Sequence, residues 1–348
     1  MSLPRPLEEF PDPLLDTPWG ELGAIRHAAK LDGEWHADVE LGYPVLGLED
    51  HYRQRIAEWL GEPNVVLDLS FKPPGRKAMP GANSVIAVAS GKGGVGKSTT
   101  AVNLALGLAS IGAKVGILDA DIYGPSLGLM LGVPSNRRPE VRDGKYFVPI
   151  RTHGIETISM SMLVTDRTPM VWRGPMASGA LQQLLGQTLW SDVDYLIVDM
   201  PPGTGDIQLT LSQQVSVSGA VIVTTPQNIA LADAIKGIEM FQKVNIPILG
   251  IIENMSFFSC DECGKRHEIF DTAGGRSVAA DYSTRLLGEF PLHPMIRTQT
   301  DSGHPPVVAQ PDSEVSQLYR KAAQLTAASL WEVSSQQAAA PTIQVDDS

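Results

Sequence analysis

Two stretches of this sequence carry residue types that do chemistry at a defined spacing. The first is SCDECGKRH, where Cys260 and Cys263 are the only cysteines among 348 residues and follow a C-x-x-C pattern. Thiols at this spacing hold a metal or carry out redox chemistry. A tetrahedral thiolate site needs four ligands, so the pair supplies only half of one. The second stretch is the glycine-rich segment 90–99.

Residues 91–98 match G-x-x-x-x-G-K-[ST], the pattern of a phosphate-binding loop. An apolar strand pattern precedes the loop and a helical pattern follows it. Glycines let successive N–H groups converge on an anion, and the helix N-terminus adds its dipole. We therefore expect Lys97 to contact the β- and γ-phosphates of ATP and the Ser98 hydroxyl to ligate Mg²⁺. The predicted nucleotide-binding residues of the loop are Gly91, Lys92, Gly93, Gly94, Val95, Gly96, Lys97, Ser98 and Thr99.

Acidic residues end two further apolar runs. Asp199 follows YLIV, and Asp119 and Asp121 lie in ILDADIYGP. In open α/β sheets, ligands bind at the carboxyl ends of the strands. We predict that Asp199 joins the magnesium shell and that Asp121 orients the attacking water, while a cap or turn role is the alternative for any one of these acids.

Short apolar runs recur after residue 84 and alternate with helical patterns. Such runs are typical of parallel strands covered on both faces, so we predict an α/β fold with a mostly parallel, doubly wound sheet. The runs are SVIAVAS, KVGILDAD, DYLIVDMP, GAVIVTTP, IPILGIIENM and RLLGEFPL.

Composition shifts suggest four regions. Residues 1–70 contain a strand, a helix and a strand, which predicts a small α+β domain without a cluster of catalytic residue types. Prolines and glycines in 71–83 predict a linker. Residues 84–333 hold the phosphate loop and the cysteine pair and end in an amphipathic helix, and we expect 334–348 to be a disordered tail.

Charge and cysteine content restrict the binding partners and the cellular compartment that we expect for this protein. The chain has 27 Lys and Arg against 39 Asp and Glu, a formal net charge of -12. This charge balance argues against nucleic acid or an anionic membrane as a partner, because binding to either depends on Lys and Arg side chains that neutralise negative charge. Neither a signal peptide nor a run long enough to span a bilayer is evident, and two cysteines suit a reducing compartment. We expect a soluble, cytoplasmic protein.

A second lysine, Lys92, follows the first glycine of the loop in G-K-G-G-V-G-K-S. This form resembles the deviant phosphate loop of the MinD/ParA/nitrogenase-iron-protein group of ATPases. The resemblance implies a homodimer in which Lys92 reaches the partner's nucleotide and acts, with Lys97 and Asp121, in catalysis.

The order of several motifs narrows the resemblance to the Mrp/ApbC family. Within residues 84–330 the following motifs occur in this order: GKGGVGKST, DADIYGPS, WRGPM, VDMPPGTGD, TTPQ, ENMS, C-x-x-C and LGEFPLHPMIR. The resemblance implies an ATP-dependent iron–sulfur cluster carrier in which Asn254 recognises adenine. Residues 1–70 more weakly resemble the small assembly-factor domain of such chains but lack its cysteine and DPE turn. We therefore do not assign the activity of the assembly-factor domain to residues 1–70 of this chain.

Four interpretations of Cys260 and Cys263 compete. They are an inert buried pair, a thioredoxin-like couple at a helix N-terminus, a zinc knuckle with His267 as third ligand, and an iron–sulfur site. The polar surroundings argue against burial, and Gly264 favours a knuckle-like turn. In a two-fold dimer a C-x-x-C near the axis would present four thiolates, which suit a [4Fe–4S] cluster. The family resemblance implies the same cluster, bridging two subunits.

These observations leave three functional hypotheses. The leading one is a carrier that binds ATP and a cluster, hydrolyses ATP slowly with Mg²⁺, and passes the cluster to apo-proteins. The alternative is a MinD/ParA-like positioning ATPase that acts on membrane or DNA and has a structural zinc knuckle. Such a protein would need a basic amphipathic terminal helix or a basic surface. The predicted terminal helix has only Arg320 and Lys321 as basic residues. An electron donor like the nitrogenase iron protein would require cysteines in two separate loops.

Overall fold

The computed structural model describes residues 6–74, 78–121, 124–162, 174–205, 208, 216–260 and 262–339. The chain divides into two compact units, and the division after Gly75 falls within the predicted linker. The smaller unit is Met1–Gly75 with Ala327–Ser348, and the larger is Arg76–Thr326. The C-terminal residues therefore belong to the unit that contains the N-terminal region.

The smaller unit contains a three-stranded sheet in which β1 and β2 are antiparallel and β2 and β3 are parallel. Its first elements are α1 (Trp19–Leu22), β1 (Ile25–Leu31), β2 (Glu34–Leu41), α2 (Glu49–Leu60) and β3 (Val65–Phe71). The predicted strand, helix and strand correspond to β2, α2 and β3, and β1 is an additional strand. Buried Tyr52 and Ile56 lie one turn apart on α2, as an amphipathic helix requires.

The larger unit contains a nine-stranded sheet with the order β13-β12-β11-β4-β10-β5-β9-β8, in which β14 also pairs with β12. Its strands are β4 (Ala82–Ala89), β5 (Val115–Asp119), β8 (Ile150–Thr152), β9 (Ile155–Ser159), β10 (Val193–Asp199), β11 (Gly219–Thr224), β12 (Ile248–Ser259), β13 (Arg266–His267) and β14 (Leu286–Pro291). A separate antiparallel pair is formed by β6 (Glu140–Arg142) and β7 (Tyr146–Val148).

The helices described between the strands of this sheet are α3 (Lys97–Ser110), α4 (Leu127–Met130), α5 (Gly174–Gln187), α6 (Asn228–Lys243) and α7 (Gly274–Asp281). After β14 follow α8 (Pro294–Asp301), α9 (Pro306–Ala309) and α10 (Glu314–Ala339), whose residues from Ala327 onward belong to the smaller unit. Every residue of β5 and β11 is buried, which explains the continuous apolar runs. The alternation of buried, mostly parallel strands with helices confirms the α/β fold class.

The register of the central strands brings their carboxyl ends, with the acidic residues Asp119 and Asp199, side by side. Asp199 at the end of β10 pairs with Val88 of β4 on one side and with Asp119 of β5 on the other. Asp119 in turn pairs with Ser159 of β9. The phosphate loop follows β4, so the loop and both carboxylates lie at the same edge of the sheet.

Two features differ from the sequence-based expectations. The terminal helix α10 continues to Ala339, whereas the predicted disordered tail begins at residue 334. Residues 340–348 of that tail lie outside the described residues. The sheet also gains the antiparallel pair β8–β9, whose strands are three and five residues long. In the part of the chain that the structure describes, we find no helix with the length and apolar character needed to cross a membrane.

Candidate functional site

The phosphate loop leaves the buried centre of the sheet and leads directly into α3. It is held by three hydrogen bonds from different parts of the larger unit. The Ser90 hydroxyl donates to the Lys92 carbonyl at 2.8 Å, and the Gly203 N–H donates to the Ser90 carbonyl at 3.1 Å. The Asn254 amide donates to the Val95 carbonyl at 2.9 Å. These contacts preorganise the loop before any ligand binds.

Gly96 is required where the loop enters the helix. Its φ of +84° is in the left-handed region, and an added Cβ would lie 2.1 Å from the Asn254 Nδ2 atom. Any side chain here would be strained and would displace the amide that supports the loop. The residue thus fits a cradle in which backbone N–H groups approach an anion.

Lys97, at the first position of α3, is only 6% exposed, and its ammonium contacts Oδ1 of fully buried Asp199. Burial raises the pKa of Asp199, and the Lys97 charge partly opposes this shift. The other carboxylate oxygen, Oδ2, is buried and has no hydrogen-bond partner among the described residues. A buried acceptor of this kind fits a bound metal ion or its water, so the residues present fit Mg²⁺ with a nucleotide.

The two acids after β5 have different environments. Asp119 is fully buried, and its Oδ1 accepts the Asp121 N–H at 3.0 Å while Oδ2 accepts the Ser126 N–H at 3.0 Å. Burial, followed by the Asp199 charge, raises the pKa of Asp119 to about 7. Asp121 is half-buried and accepts the Gly124 N–H at 3.2 Å. Asp119 therefore organises the loop that presents Asp121.

Asn254 lines a cavity of about 190 Å³ beside the phosphate loop, which we call the loop cavity. Thr99 from α3 and Pro291 and Leu292 from the end of β14 form other parts of its wall. His293, Arg297 and Asp301 also line the cavity, so its wall combines apolar groups with polar and charged ones. An amide beside apolar groups suits a flat aromatic base. The structure adds that Asn254 also supports the loop itself, a role that the family resemblance does not imply.

Lys92 is half-buried on the loop. Within the described ranges its ammonium makes no ion pair or side-chain hydrogen bond, in contrast to Lys97. An ammonium group without a partner can pair with an anion supplied from elsewhere.

Cys260 and Cys263 lie in the hairpin turn between β12 and β13. The Cys260 N–H donates to the Lys265 carbonyl at 3.0 Å, and the Gly264 N–H donates to the Cys260 carbonyl at 2.8 Å. Cys260 is half-buried and Cys263 is exposed, so the pair is accessible from solvent. The turn agrees with the predicted knuckle and differs from the helix N-terminus of a thioredoxin-like couple. Because β12 runs parallel to β11, it leads to the cysteines from the end of the sheet that carries the phosphate loop, and it continues six residues past Glu253, its last partner in β11.

Contacts behind the turn fix its position. The Arg266 guanidinium lies over the Phe257 ring, 3.8 Å from its centroid, and 3.8 Å from the Glu289 carboxylate. The cation–π contact and the ion pair anchor the hairpin to β12 and β14. The sequence analysis did not identify Phe257 or Glu289 as partners of Arg266, because only strand pairing brings these residues together.

Among the described residues, no group of three or more His, Cys, Asp or Glu could hold a metal ion. His267, the predicted third ligand of a zinc knuckle, pairs with Phe258 across the hairpin and does not form such a group with the cysteines. Residue 261, between the cysteines, and parts of the motifs DADIYGPS, WRGPM and VDMPPGTGD lie outside the described residues.

Comparisons with known proteins agree with this arrangement. The ParA family model, described as NUBPL iron-transfer P-loop NTPase, matches residues 81–327. An iron-sulfur cluster carrier protein of Escherichia coli K12 is 52% identical over 337 residues, which cover 93% of this chain and 90% of that protein. A carrier protein of the same name from Pseudomonas fragi is 59% identical over 240 residues, 69% of this chain and 84% of the relative.

Solved structures show the same fold. A nucleotide-binding protein from Archaeoglobus fulgidus in complex with ADP is 35% identical, with a TM-score of 0.60, over 68% of this chain and 92% of its own. The cell division ATPase MinD of Pyrococcus furiosus, 23% identical with a TM-score of 0.53, covers 70% of this chain and 97% of its own and shows the fold alone. The resemblance inferred from the motifs is thus confirmed: the chain belongs to the Mrp/ApbC family of iron-transfer P-loop NTPases.

Proposed function

We propose that this protein is an ATP-binding carrier that holds an iron–sulfur cluster between two copies of the chain and passes it to apo-proteins. One observation carries the proposal: an accessible pair of thiols follows β12 beyond the same end of the sheet that carries a preformed phosphate loop. Relatives named iron-sulfur cluster carrier protein support it.

For the nucleotide, the loop residues 91–99 would hold the phosphates of ATP, and Asn254 would face the base. Ser98 and the unpartnered oxygen of Asp199 would hold Mg²⁺. When bound, Mg²⁺ neutralises phosphate charge. Lys97 contacts Asp199 now and would shift toward the phosphates, and Asp121 would orient water for a slow hydrolysis.

The thiols argue for a second copy. Two protein ligands from one chain leave a tetrahedral cluster site incomplete, and the described residues add no third. A two-fold axis near Cys263 would supply the other two thiolates, and it would bring Lys92 to the partner's nucleotide. A cluster held between subunits can be released when the interface moves, which suits a carrier.

The test is anaerobic reconstitution with iron and sulfide, followed by visible absorption, iron content and transfer to an apo-ferredoxin. We expect a coloured protein that loses its cluster in Cys260→Ser and Cys263→Ser, whereas both variants keep ATP affinity. Ser259→Ala, next to the pair, is the matched control and should keep the cluster.

Two results would contradict the proposal. One is a cysteine variant that retains a full cluster. The other is a colourless protein that co-sediments with anionic liposomes or DNA in the presence of ATP, which would favour the positioning ATPase. We expect neither membrane nor nucleic acid to bind, because the formal net charge is -12.

A further inference from the structure

A second cavity in the larger unit, of about 450 Å³, lies beside α4, and we call it the α4 cavity. Its apolar wall includes Leu129, Val133 and Met162. Leu129 leaves 67% of its surface exposed although it follows fully buried Leu127 by two residues. The volume lies in the range of about 300–1,000 Å³ typical of ligand pockets. Neither the phosphate loop nor the cysteine hairpin contributes to its wall.

The rim of the α4 cavity is basic. Arg137 and Arg138 line it, and in the described part of the chain the Arg137 guanidinium has no ion-pair partner. The acid on the wall, Asp301, is already paired with Arg297 at 3.1 Å. The guanidinium of Arg137 can bind a carboxylate through two parallel hydrogen bonds. It does so although the chain as a whole has a formal net charge of -12, so the attraction is local.

The cavity is joined to the nucleotide site by hydrogen bonds through Asp119. On the cavity wall, the Ser161 hydroxyl lies 2.9 Å from the Ser159 hydroxyl, which donates to Asp119 Oδ2 at 3.1 Å. The same oxygen accepts the Leu127 N–H at the start of α4, at 3.2 Å. The other oxygen of Asp119 holds the N–H of Asp121.

A second connection runs through α8. Asp301, at the end of this helix, lines both the α4 cavity and the loop cavity. A ligand that shifts α4 or α8 thus acts on residues that support the nucleotide site. Coupling of this kind is reciprocal, so nucleotide would change the affinity of the α4 cavity by the same factor.

We propose that the α4 cavity docks a short acidic segment of a partner protein, and that docking changes the affinity of the phosphate loop for nucleotide. The segment places an apolar side chain against Leu129 and Val133 and a carboxylate on Arg137. Leu129 projects at the rim, so a ligand that covers it extends beyond the cavity, as a peptide does. The coupling rests on the nucleotide part of the proposed function, whereas the docking does not.

Docking is tested by fluorescence anisotropy on the full chain without nucleotide. The ligands are short fluorescein-labelled peptides with two aspartates placed one, two or three positions before a leucine. We expect at least one to bind about tenfold more tightly than its asparagine counterpart. Arg137→Glu should abolish that preference and favour a lysine version of the peptide. Arg142→Glu, a reversal at another exposed arginine, should behave as the wild type.

Several outcomes would overturn the docking. They are equal binding of the aspartate and asparagine peptides, wild-type affinity in Arg137→Glu, or a free dicarboxylate such as glutarate binding as tightly as the peptides. The last result would assign the cavity to a small anion.

Coupling is tested separately with a fluorescent ATP analogue. We expect a saturating peptide to change its Kd about threefold or more, and Ser159→Ala to reduce that change while keeping peptide affinity. An unchanged Kd refutes the coupling, and an undiminished effect in Ser159→Ala refutes the route through Ser159. If the analogue does not bind at all, the nucleotide part of the proposed function fails, while the peptide result still decides the docking.

Discussion

At the scale of single residues, Lys97 already has a structural role before any nucleotide binds. Its ammonium offsets the charge of Asp199, which is fully buried, and Lys97 itself is almost completely buried. A buried ion pair of this kind contributes little net stability, but the loss of one partner is costly. A phosphate group would compete with Asp199 for the same ammonium, so the pair keeps this ammonium beside the phosphate loop before nucleotide binds.

Lys97→Met tests this structural role. The variant leaves the Asp199 carboxylate buried without its cation, and we expect the free energy of unfolding to fall by about 3–5 kcal/mol. Adding Asp199→Asn should restore at least half of the loss, because the uncompensated charge is gone. Urea denaturation in the absence of nucleotide measures both effects.

The control for this prediction is Lys236→Met. Lys236 pairs with Asp233 at 3.0 Å on the surface, with 64% of its side chain exposed. Water screens this pair, so the expected loss is at most about 1 kcal/mol. An equal loss in Lys97→Met and Lys236→Met would contradict the structural role of the buried pair.

Asp119 gives the fold a pH dependence of a definite sign. Its pKa is about 7 in the folded chain against an ordinary value of 3.8, so folding favours the protonated form. Its contribution is complete below about pH 4 and is lost as the pH rises toward 7. Relative to Asp119→Asn, we expect wild-type stability to fall by up to about 1.4 kcal/mol per pH unit in this window.

Urea denaturation of both proteins between about pH 4 and pH 8, without metal or nucleotide, measures this difference. The Asn variant starts from a lower stability, because its NH₂ group replaces either Oδ1, which accepts the Asp121 N–H, or Oδ2, which accepts the Ser126 and Leu127 N–H groups. Only the change with pH bears on the prediction. Parallel profiles would show that Asp119 does not titrate in this range.

At the scale of elements, the long apolar runs predicted the main strands of the sheet. The short strands of the β8–β9 hairpin were not predicted. The run 84–90 became β4 because every residue from Ser84 to Ala89 is buried, which makes the pattern continuous. The β8–β9 hairpin gave no such signal, since β8 has three residues and only Ile150 is buried. Tertiary pairing with β5 decides that hairpin, and no local pattern encodes it.

The cysteine hairpin shows the same limit at the site. C-x-x-C with Gly264 predicted a knuckle, and the turn between β12 and β13 has that form. The contact of Arg266 with Phe257 could not be foreseen, because the two residues meet only through strand pairing. Likewise, the hydrogen bond from Asn254 to Val95 joins residues that are distant in sequence.

Gly264→Val tests whether the shape of the hairpin holds the cluster. Gly264 has φ +68° and no atom near its missing Cβ, so a valine fits in space but strains the backbone. We expect a loss of about 1–2 kcal/mol in stability and a loss of iron after anaerobic reconstitution, because the thiols move apart.

The matched control is Gly144→Val in the hairpin between β6 and β7. Gly144 has φ +65° and equally open surroundings, so its stability should fall by a similar amount. Its iron content should stay at the wild-type level. If both variants lose iron alike, general destabilisation rather than hairpin shape explains the effect.

At the scale of the whole molecule, the chain carries parts that are incomplete alone. Among the described residues of the larger unit, the two thiols have no third metal ligand beside them, and the Lys92 ammonium has no ion pair or side-chain hydrogen bond. The sequence shows these residues but cannot show what completes them, because a second copy adds nothing to the sequence. Only a measurement on the assembled protein can test the dimer.

Mixed dimers supply that measurement. Wild-type chains and Cys260→Ser/Cys263→Ser chains are co-expressed with different affinity tags, and the mixed species is isolated by two successive purifications. A bridging [4Fe–4S] cluster needs both thiol pairs, so we expect mixed dimers to take up no stable cluster on reconstitution. Doubly tagged wild-type dimers, prepared in the same way, should take up one cluster per two chains. Half the wild-type iron in the mixed species would mean that each chain binds its own metal, and the shared site would be wrong.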